Sequence, residues 1–217
     1  MKNLLTILFI SLLIFSCDNN SITGPLSCDQ NTEVELWGVC YNINNTNSLI
    51  LNNVGLTGII PPKIGDLINL NIINLSENQL SGEIPSEIED LINLNEINLS
   101  ENQLFGEIPS EIWTLTNLNN LSLSSNLLTG QISTSIDNLI NLIELRLDNN
   151  QLSGNIPTEI GNLLNLYDVS LNNNQLTGEI PSEIGNLVNL NYLHLGHNLL
   201  TGVIPTEICD IQDPNPS

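Results

Sequence analysis

Leucine recurs at an unbroken spacing of 24 residues along most of this chain, and the positions after each leucine alternate between apolar and polar. The leading leucines of the regular copies are Leu70, Leu94, Leu118, Leu142, Leu166 and Leu190. Each opens the pattern L-x-x-[LIV]-x-L-x-x-N-x-L, whose centre has the alternation typical of a β-strand with one buried face. The pattern therefore predicts one short strand in every copy.

Seven copies are predicted over residues 46–211. The first copy is degenerate, with Val54 where later copies have Asn, and the last copy is cut short at Ile211. Copies of one length return the chain to the same side of the molecule, so their strands are expected to stack in parallel as one wall of a solenoid. One copy alone buries too few apolar side chains to offset the ordering of its backbone, and stacking is therefore required.

Two further columns accompany the leucines. One is an asparagine column, formed by Asn78, Asn102, Asn126, Asn150, Asn174 and Asn198. An amide at this place is predicted to be buried and to bond the backbone of neighbouring coils, where the strand has ended. The other is a glycine column from Gly58 to Gly202, which permits a positive φ or a close backbone approach.

A second glycine column, seen at Gly65, Gly161 and Gly185, is broken by larger residues. Trp113 occupies this column, and it is either packed locally or exposed as an anchor. Cys209 occupies it near the last coil, as either an inert thiol or an intermolecular bridge.

These features together resemble the plant-type leucine-rich repeat, which is found in receptor-kinase ectodomains and in polygalacturonase-inhibiting proteins. The segment LTGEIPSEIGNL at residues 176–187 agrees with that repeat at every diagnostic position. The resemblance implies an α/β repeat solenoid, a right-handed leucine-rich-repeat superhelix. Its parallel β-sheet would line the concave face, and short 3-10 or irregular segments would form the convex face.

The first residues have the pattern of an export signal. Lys2 precedes an apolar run over residues 4–15, which is too short to span a bilayer, since a spanning helix needs roughly 20 residues. The run ends in Ile-Phe-Ser-Cys, which resembles the lipobox of bacterial lipoproteins, in which the cysteine is lipidated. We predict a signal peptide over residues 1–16 and lipidation at Cys17; ordinary signal cleavage after Ser16 is the alternative.

A lipidated linker and an amino-terminal cap are predicted over residues 17–45, and a carboxyl-terminal tail over residues 212–217. Cys28 and Cys40 both precede the regular copies in an exported, oxidising setting, which favours a disulfide between them over free thiols. The stretch Trp-Gly-Val-Cys at residues 37–40 is similar to the amino-terminal cap of the leucine-rich-repeat family, although one residue is missing before the cysteine.

Charge limits the possible partners. The chain has 24 acidic and 3 basic residues and a formal net charge of -21, so binding to nucleic acid is excluded for lack of clustered cations. Attachment to a membrane is expected only through a lipid anchor. Hydrophobic residues make up 41% of the chain and charged residues 12%, which is not the composition of a disordered protein.

The sequence contains no catalytic motif. There is no phosphate loop and no nucleophile with a histidine and an acid at motif spacing, and the carboxylates stand at positions that the repeat imposes. His194 and His197 supply two metal donors, fewer than a metal site requires. We therefore predict a protein that is not an enzyme and that has no cofactor and no metal site.

Outward positions of the predicted strands, with the residues that follow them, would form the ligand-binding face. The candidates are Glu96, Asn98, Glu101, Asn120, Glu144, Arg146, Asp148, Asp168, Tyr192, His194 and His197. Arg146, the only arginine, lies between two acidic residues of its own strand, which favours local charge balance over a clamp for a ligand carboxylate. Tyr192 and the histidines either stack against a sugar or peptide side chain or are solvated surface.

The leading functional hypothesis is a non-catalytic recognition module that binds an extracellular protein, peptide or glycan through the concave face. It would be exported to the cell envelope or outer surface and lipid-anchored to a bacterial membrane. An ice-binding or surface-coating protein is one alternative, although the row of Asn74 and Asn98 breaks at Ser122, which suits an irregular ligand better than a lattice. A scaffold within a larger assembly is another.

Overall fold

The computed structural model describes residues 28–208, which wind into one solenoid. Four features lie outside this range: the predicted signal peptide, the predicted lipidation site Cys17, Cys209 and the predicted tail at residues 212–217. Among residues 28–208, no helix is long and apolar enough to cross a bilayer.

A parallel sheet of seven short strands lines the concave face. Its strands are Ser48–Ile50, Ile72–Asn74, Glu96–Asn98, Asn120–Ser122, Glu144–Arg146, Asp168–Ser170 and Tyr192–His194. Equivalent residues of successive copies pair across the sheet, as Ile97 does with Leu121 and Leu121 with Leu145. All three of these side chains are buried in the core, so the predicted alternation of inward and outward positions is confirmed.

The chain then turns through a second set of short strands, which the sequence pattern did not indicate. Thr57–Gly58, Gln79–Gly82, Gln103–Glu107 and Leu127–Thr129 form a four-stranded sheet, and Ser153–Asn155 pairs with Gln175–Thr177. Every glycine of the predicted column has a positive φ, for example 84° at Gly106, and bends the chain within or next to this set of strands. The glycine column therefore marks a turn in each coil.

The convex face is built from 3-10 helices, as the resemblance implied. They are Pro62–Asp66, Ser86–Asp90, Ser110–Thr114, Thr134–Asn138, Thr158–Asn162 and Ser182–Asn186. A proline precedes most of them, and its fixed φ, -62° at Pro109, holds the chain extended just before the helix begins. Isoleucines of these helices, such as Ile112 and Ile160, close the core from the side opposite the strands.

An antiparallel hairpin covers the amino-terminal end of the core. Its strands are Glu33–Leu36 and Val39–Asn42, and the buried side chains of Val34 and Leu36 lie against the first coil. A disulfide joins Cys28 to Cys40, the two cysteines that the sequence pattern paired. The Trp37 indole donates a hydrogen bond of 3.2 Å to the Ile59 carbonyl, which ties the hairpin to the first coil.

The asparagine column forms the predicted buried ladder. The Asn126 amide donates to the carbonyls of Leu99 in the preceding coil and Leu123 in its own coil, at 3.0 and 3.1 Å. Its carbonyl oxygen accepts a 3.0 Å hydrogen bond from the Leu104 backbone N–H. One side chain thus satisfies backbone groups of two coils where the concave strand has ended and no strand partner is left.

A second asparagine ladder, which the sequence pattern did not indicate, runs along the flank between the 3-10 helices and the concave strands. Its members are Asn69, Asn93, Asn117, Asn141, Asn165 and Asn189. Each amide from Asn93 onward donates to the carbonyl of the residue 25 positions earlier, as Asn165 does to Ile140 at 2.9 Å. This flank is therefore held coil to coil by side chains.

Candidate functional site

The structure brings the predicted ligand-binding residues onto one face. Eight of them are outward-facing first or last residues of the last five concave strands: Glu96, Asn98, Asn120, Glu144, Arg146, Asp168, Tyr192 and His194. Glu101, Asp148 and His197 lie in the turns that follow three of those strands. Since successive strands pair in register, residues of successive copies form rows that run along the solenoid.

A charged network occupies the middle of this face. The Arg146 guanidinium donates to an Asp168 oxygen at 2.8 Å and lies 3.6 Å from a Glu144 oxygen. The second oxygen of Asp168 accepts a hydrogen bond from the Ser170 hydroxyl at 3.1 Å. Both carboxylate oxygens of Asp168 are therefore occupied, and its side chain is only 10% exposed.

Only one of the two acidic residues that sequence proximity suggested as partners of Arg146 lies near its guanidinium. Glu144 is one partner, but the closer one is Asp168, which stands on the next strand. Asp148 instead accepts a 2.6 Å hydrogen bond from the Ser124 hydroxyl of the preceding coil and one from the Asn149 amide. The geometry supports charge balance as the role of Arg146, because its guanidinium already faces two carboxylates.

The network lines a shallow depression of about 440 Å³ on the concave face. Its walls include Ser122, Ser124, Arg146, Asp148, Asp168 and Ser170. A second hollow of about 170 Å³ adjoins it and is lined by Glu96, Asn98, Asn120 and Glu144 among others. Hydroxyls and carboxylates dominate the lining of the depression, which therefore offers many hydrogen-bond acceptors and a surplus of negative charge.

Some outward positions are less accessible than alternation alone suggests. Ser76, Asp168 and Ser170 are buried, because their side chains are short or are drawn into local hydrogen bonds. The side-chain oxygen Oδ1 of Asn98 accepts hydrogen bonds from the Ser100 backbone N–H and from the Ser100 hydroxyl, at 3.1 and 2.7 Å. Only the amide donors of Asn98 therefore remain to meet a ligand.

The turn residues after the strands have a backbone conformation that the sequence pattern did not reveal. Glu101 and His197 have φ values of 54° and 56°, in the left-handed region that is costly for residues other than glycine. The same holds at the equivalent positions Asn53, Glu77, Ser125, Asn149 and Asn173. Asparagine at three of these positions is the feature of the sequence that could have indicated this conformation, since asparagine tolerates the left-handed region better than most residues. The conformation holds the side chains of Glu101 and His197 exposed at the rim of the face.

An aromatic group stands at the carboxyl-terminal end of the face. The ring of Tyr192 meets that of Tyr167 edge to face, with centroids 5.6 Å apart, and lies parallel to the His194 ring at 6.4 Å. The Asn191 amide donates to the Tyr167 hydroxyl at 3.0 Å and so orients that ring. Sequence reasoning missed Tyr167, because it precedes the strand and falls outside the alternating positions.

Within residues 28–208, the donor atoms of Cys28, Glu33 and Cys40 are the ones that approach one another closely enough for a metal ion. The two cysteine sulfurs are joined in the disulfide, so they are not available as thiolate ligands. Glu33 also accepts a hydrogen bond from the Asp29 N–H at 3.0 Å. These three residues are therefore part of the amino-terminal cap.

Comparison with protein families matches the leucine-rich-repeat model to residues 69–91, 93–115, 141–163, 165–187 and 189–211. Together these segments cover more than half of the chain. A search of curated proteins returned no match.

Solved structures resemble the chain over most of its length. The plant peptide hormone receptor RGFR1, in complex with RGF2, is 42% identical with a TM-score of 0.70, covering 71% of this chain and 25% of the receptor. The ectodomain of GASSHO1/SCHENGEN3 from Arabidopsis thaliana, in complex with CASPARIAN STRIP INTEGRITY FACTOR 2, is 40% identical with a TM-score of 0.76, covering 78% and 20%. A leucine-rich-repeat protein of Leptospira interrogans is 39% identical with a TM-score of 0.60, covering 70% and 38%. The chain thus spans well under half of each of these proteins.

Proposed function

Because the chain belongs to the leucine-rich-repeat family, we propose that its concave face is a non-catalytic recognition surface for an extended segment of an extracellular polypeptide. The observation that carries this proposal is the acidic, hydroxyl-lined depression around Arg146. The two plant receptors named above, whose structures are complexes with RGF2 and CASPARIAN STRIP INTEGRITY FACTOR 2, support a polypeptide over a glycan.

Charge specifies the class of segment. Arg146 neutralises Asp168, which leaves Glu101 and Asp148 at the rim of the depression without a cation. A lysine or arginine of the ligand would supply that cation and form charge-assisted hydrogen bonds with these carboxylates. The net charge of -21 would also draw a basic segment toward the face and speed association at low salt. We therefore assign the face to a basic, extended peptide segment.

Binding of fluorescent peptides to the chain from residue 18 onward tests this proposal. A lysine-rich peptide pool is expected to bind more tightly than a matched pool with glutamine in place of lysine, and to weaken as salt is added. Asp148→Asn should weaken binding of the lysine-rich pool about fivefold, because an exposed ion pair contributes on the order of 1 kcal/mol. Glu179→Gln, an equal change of charge on the far side of the coil, is the matched control and should leave the affinity unchanged.

The sign of the effect at Arg146 separates two kinds of ligand. Arg146→Gln removes a competing cation but keeps a donor for Asp168, so binding of a basic peptide should become tighter. Loss of binding would instead indicate a clamp for a ligand carboxylate. If neither pool binds and a neutral glycan does, with Asp148→Asn weakening it, the concave face is a recognition surface but the polypeptide assignment is wrong.

We propose further that the chain is exported and anchored to a bacterial membrane by lipid on Cys17. The disulfide between Cys28 and Cys40 supports an oxidising location. Expression of the full chain in a bacterium with an alkyne-labelled fatty acid should label the protein and place it in the membrane fraction. Cys17→Ala should abolish the label and release the protein, whereas Cys209→Ala should change neither. An unlabelled protein of mature length would show ordinary signal cleavage instead.

A further inference from the structure

A column of exposed apolar side chains follows the second asparagine ladder along one flank of the solenoid. Its members are Ile68, Ile92, Ile140, Leu164 and Val188, with Thr116 at the remaining place. Each stands just after a 3-10 helix and just before the ladder asparagine. The repeat requires no apolar residue here, because none of these side chains enters the core.

In the carboxyl-terminal half of the chain this column widens into a patch. One neighbouring position, which holds asparagine in earlier coils at Asn71, Asn95 and Asn119, holds Ile143 and Tyr167 in two later coils. The resulting lateral patch consists of Ile140, Ile143, Leu164, Tyr167, Val188 and Tyr192, each between 41% and 71% exposed. Half-exposed side chains of this size would present about 500 Å² of apolar surface, as much as the largest patch on a typical monomer.

Three backbone carbonyls beneath the lateral patch already have hydrogen-bond partners. The carbonyls of Ile140 and Leu164 accept from ladder amides at 2.9 and 2.8 Å, and the Ile143 carbonyl accepts from the Tyr167 N–H at 2.8 Å. Covering the patch would therefore leave these three carbonyls satisfied, which lowers a common cost of burying a surface. The ladder also holds the patch in place before any contact, so little ordering is needed on binding.

The lateral patch is free of charge in a strongly acidic protein. Residues 138–143, 162–167 and 186–191 contain no Asp, Glu, Lys or Arg, although the net charge of the chain is -21. The concave face begins directly beside them, at Glu144 and Asp168, and the helices on the other side carry Glu159 and Glu183. This flank is therefore a neutral strip between two acidic faces.

We propose that the lateral patch is a self-association surface, on which two copies of this chain pack about a two-fold axis. The lateral patch of a second copy has the same spacing between coils. The apolar side chains of one copy can therefore fit between those of the other, as an isologous contact requires. The second copy also brings no charge into the contact, whereas pairing the concave faces or the helix faces of two copies sets carboxylates against carboxylates. Acidic faces on both sides oppose association at low salt, and screening should relieve this repulsion.

Sedimentation velocity from low micromolar to several hundred micromolar protein tests the proposal. The chain from residue 18 onward would be used with Cys209→Ser, so that no disulfide can join two copies. A monomer–dimer equilibrium is expected, with dimer increasing between about 0.05 and about 0.5 M NaCl, because the Debye length falls several-fold over that range. Leu164→Glu should weaken the dimer at least tenfold, because it places two carboxylates in a dry contact.

Leu127→Glu is the matched control, since Leu127 is similarly exposed but belongs to the second set of strands, away from this flank. It should leave the dimer unchanged, and circular dichroism should show that both variants remain folded. A monomer at every concentration and salt would overturn the proposal, as would a dimer that Leu164→Glu does not weaken. A monomer that binds zwitterionic vesicles through this patch would also overturn it, in favour of a lipid surface.

Discussion

Replacing Trp113 with alanine is expected to lower the free energy of unfolding by about 3–5 kcal/mol, the cost of removing a large buried aromatic side chain. Trp113 is 1% exposed and is the largest fully buried side chain among residues 28–208. No smaller neighbour can fill the space it leaves without moving a coil, because coil spacing is set by hydrogen bonds on the concave side. Urea denaturation followed by circular dichroism at the backbone would measure the loss.

The glycines that share the column with Trp113 explain why the effect should be large. A Cβ atom on Gly161 would lie 2.4 Å from the Glu183 carbonyl oxygen, so the helices of those two coils are in backbone contact. At Trp113 an indole is accommodated in the equivalent place, and alanine would leave a cavity between helices that cannot close to glycine spacing. Phe105→Ala, in the same coil but about half-exposed, is the control and should cost well under 1 kcal/mol. A Trp113→Ala variant as stable as this control would show that the coils do close.

Asn126→Leu is expected to lower the free energy of unfolding by about 3–5 kcal/mol. Leucine has a similar size but no hydrogen-bonding group, so it would leave the Leu104 N–H and the Leu99 carbonyl without partners, at about 1–3 kcal/mol each with some added strain. Asn120→Leu, which alters an outward amide in the same coil, is expected to change stability by less than about 0.5 kcal/mol. Equal effects of the two changes would mean that the ladder amides contribute no more than surface side chains. Chemical denaturation would give both values.

Asn126→Asp separates hydrogen bonding from packing at the same site. The shape is unchanged, but a carboxylate oxygen would face the carbonyls of Leu99 and Leu123, where the amide now donates. Burial and these carbonyls should raise the pKa of that carboxyl above its unfolded value of about 3.9, because both disfavour the charged form. The variant should therefore be closest to wild type below about pH 3, where the carboxyl is protonated in both states, and should lose stability as the pH rises through the unfolded-state pKa. A deficit independent of pH would point to packing.

The concave face could be predicted in large part, because strand alternation alone assigns its outward positions. Glu96, Arg146 and His194 were placed on that face from their spacing to the leading leucines. The partner of Arg146 could not be predicted, since it depends on how far the guanidinium reaches toward the next strand, about 4.8 Å away. Asp168 stands on that strand, directly opposite Glu144, although it is 22 residues further along the chain than Arg146.

The aromatic contact at the carboxyl-terminal end of the concave face could not be predicted from the sequence either. Tyr167 and Tyr192 are 25 residues apart, one coil plus one position, so their rings meet only because the coils stack in register. Tyr167 stands before its strand, where no alternation marks it as outward. Its contact with Tyr192 is therefore a property of stacking, which a single copy of the repeat does not contain.

The sequence by itself determined the repeat length, the concave strands, the buried asparagine ladder and the disulfide pair, because each follows from periodicity or from the spacing of a few residues. Only the tertiary structure decided the second set of strands, the second asparagine ladder, the burial of Trp113 and the partner of Arg146. These depend on side chains and backbone groups that lie about one coil apart in sequence and meet when coils stack. Their energies arise between copies, so the pattern within one copy does not show which groups meet, even where the residue itself recurs in every copy, as in the second ladder.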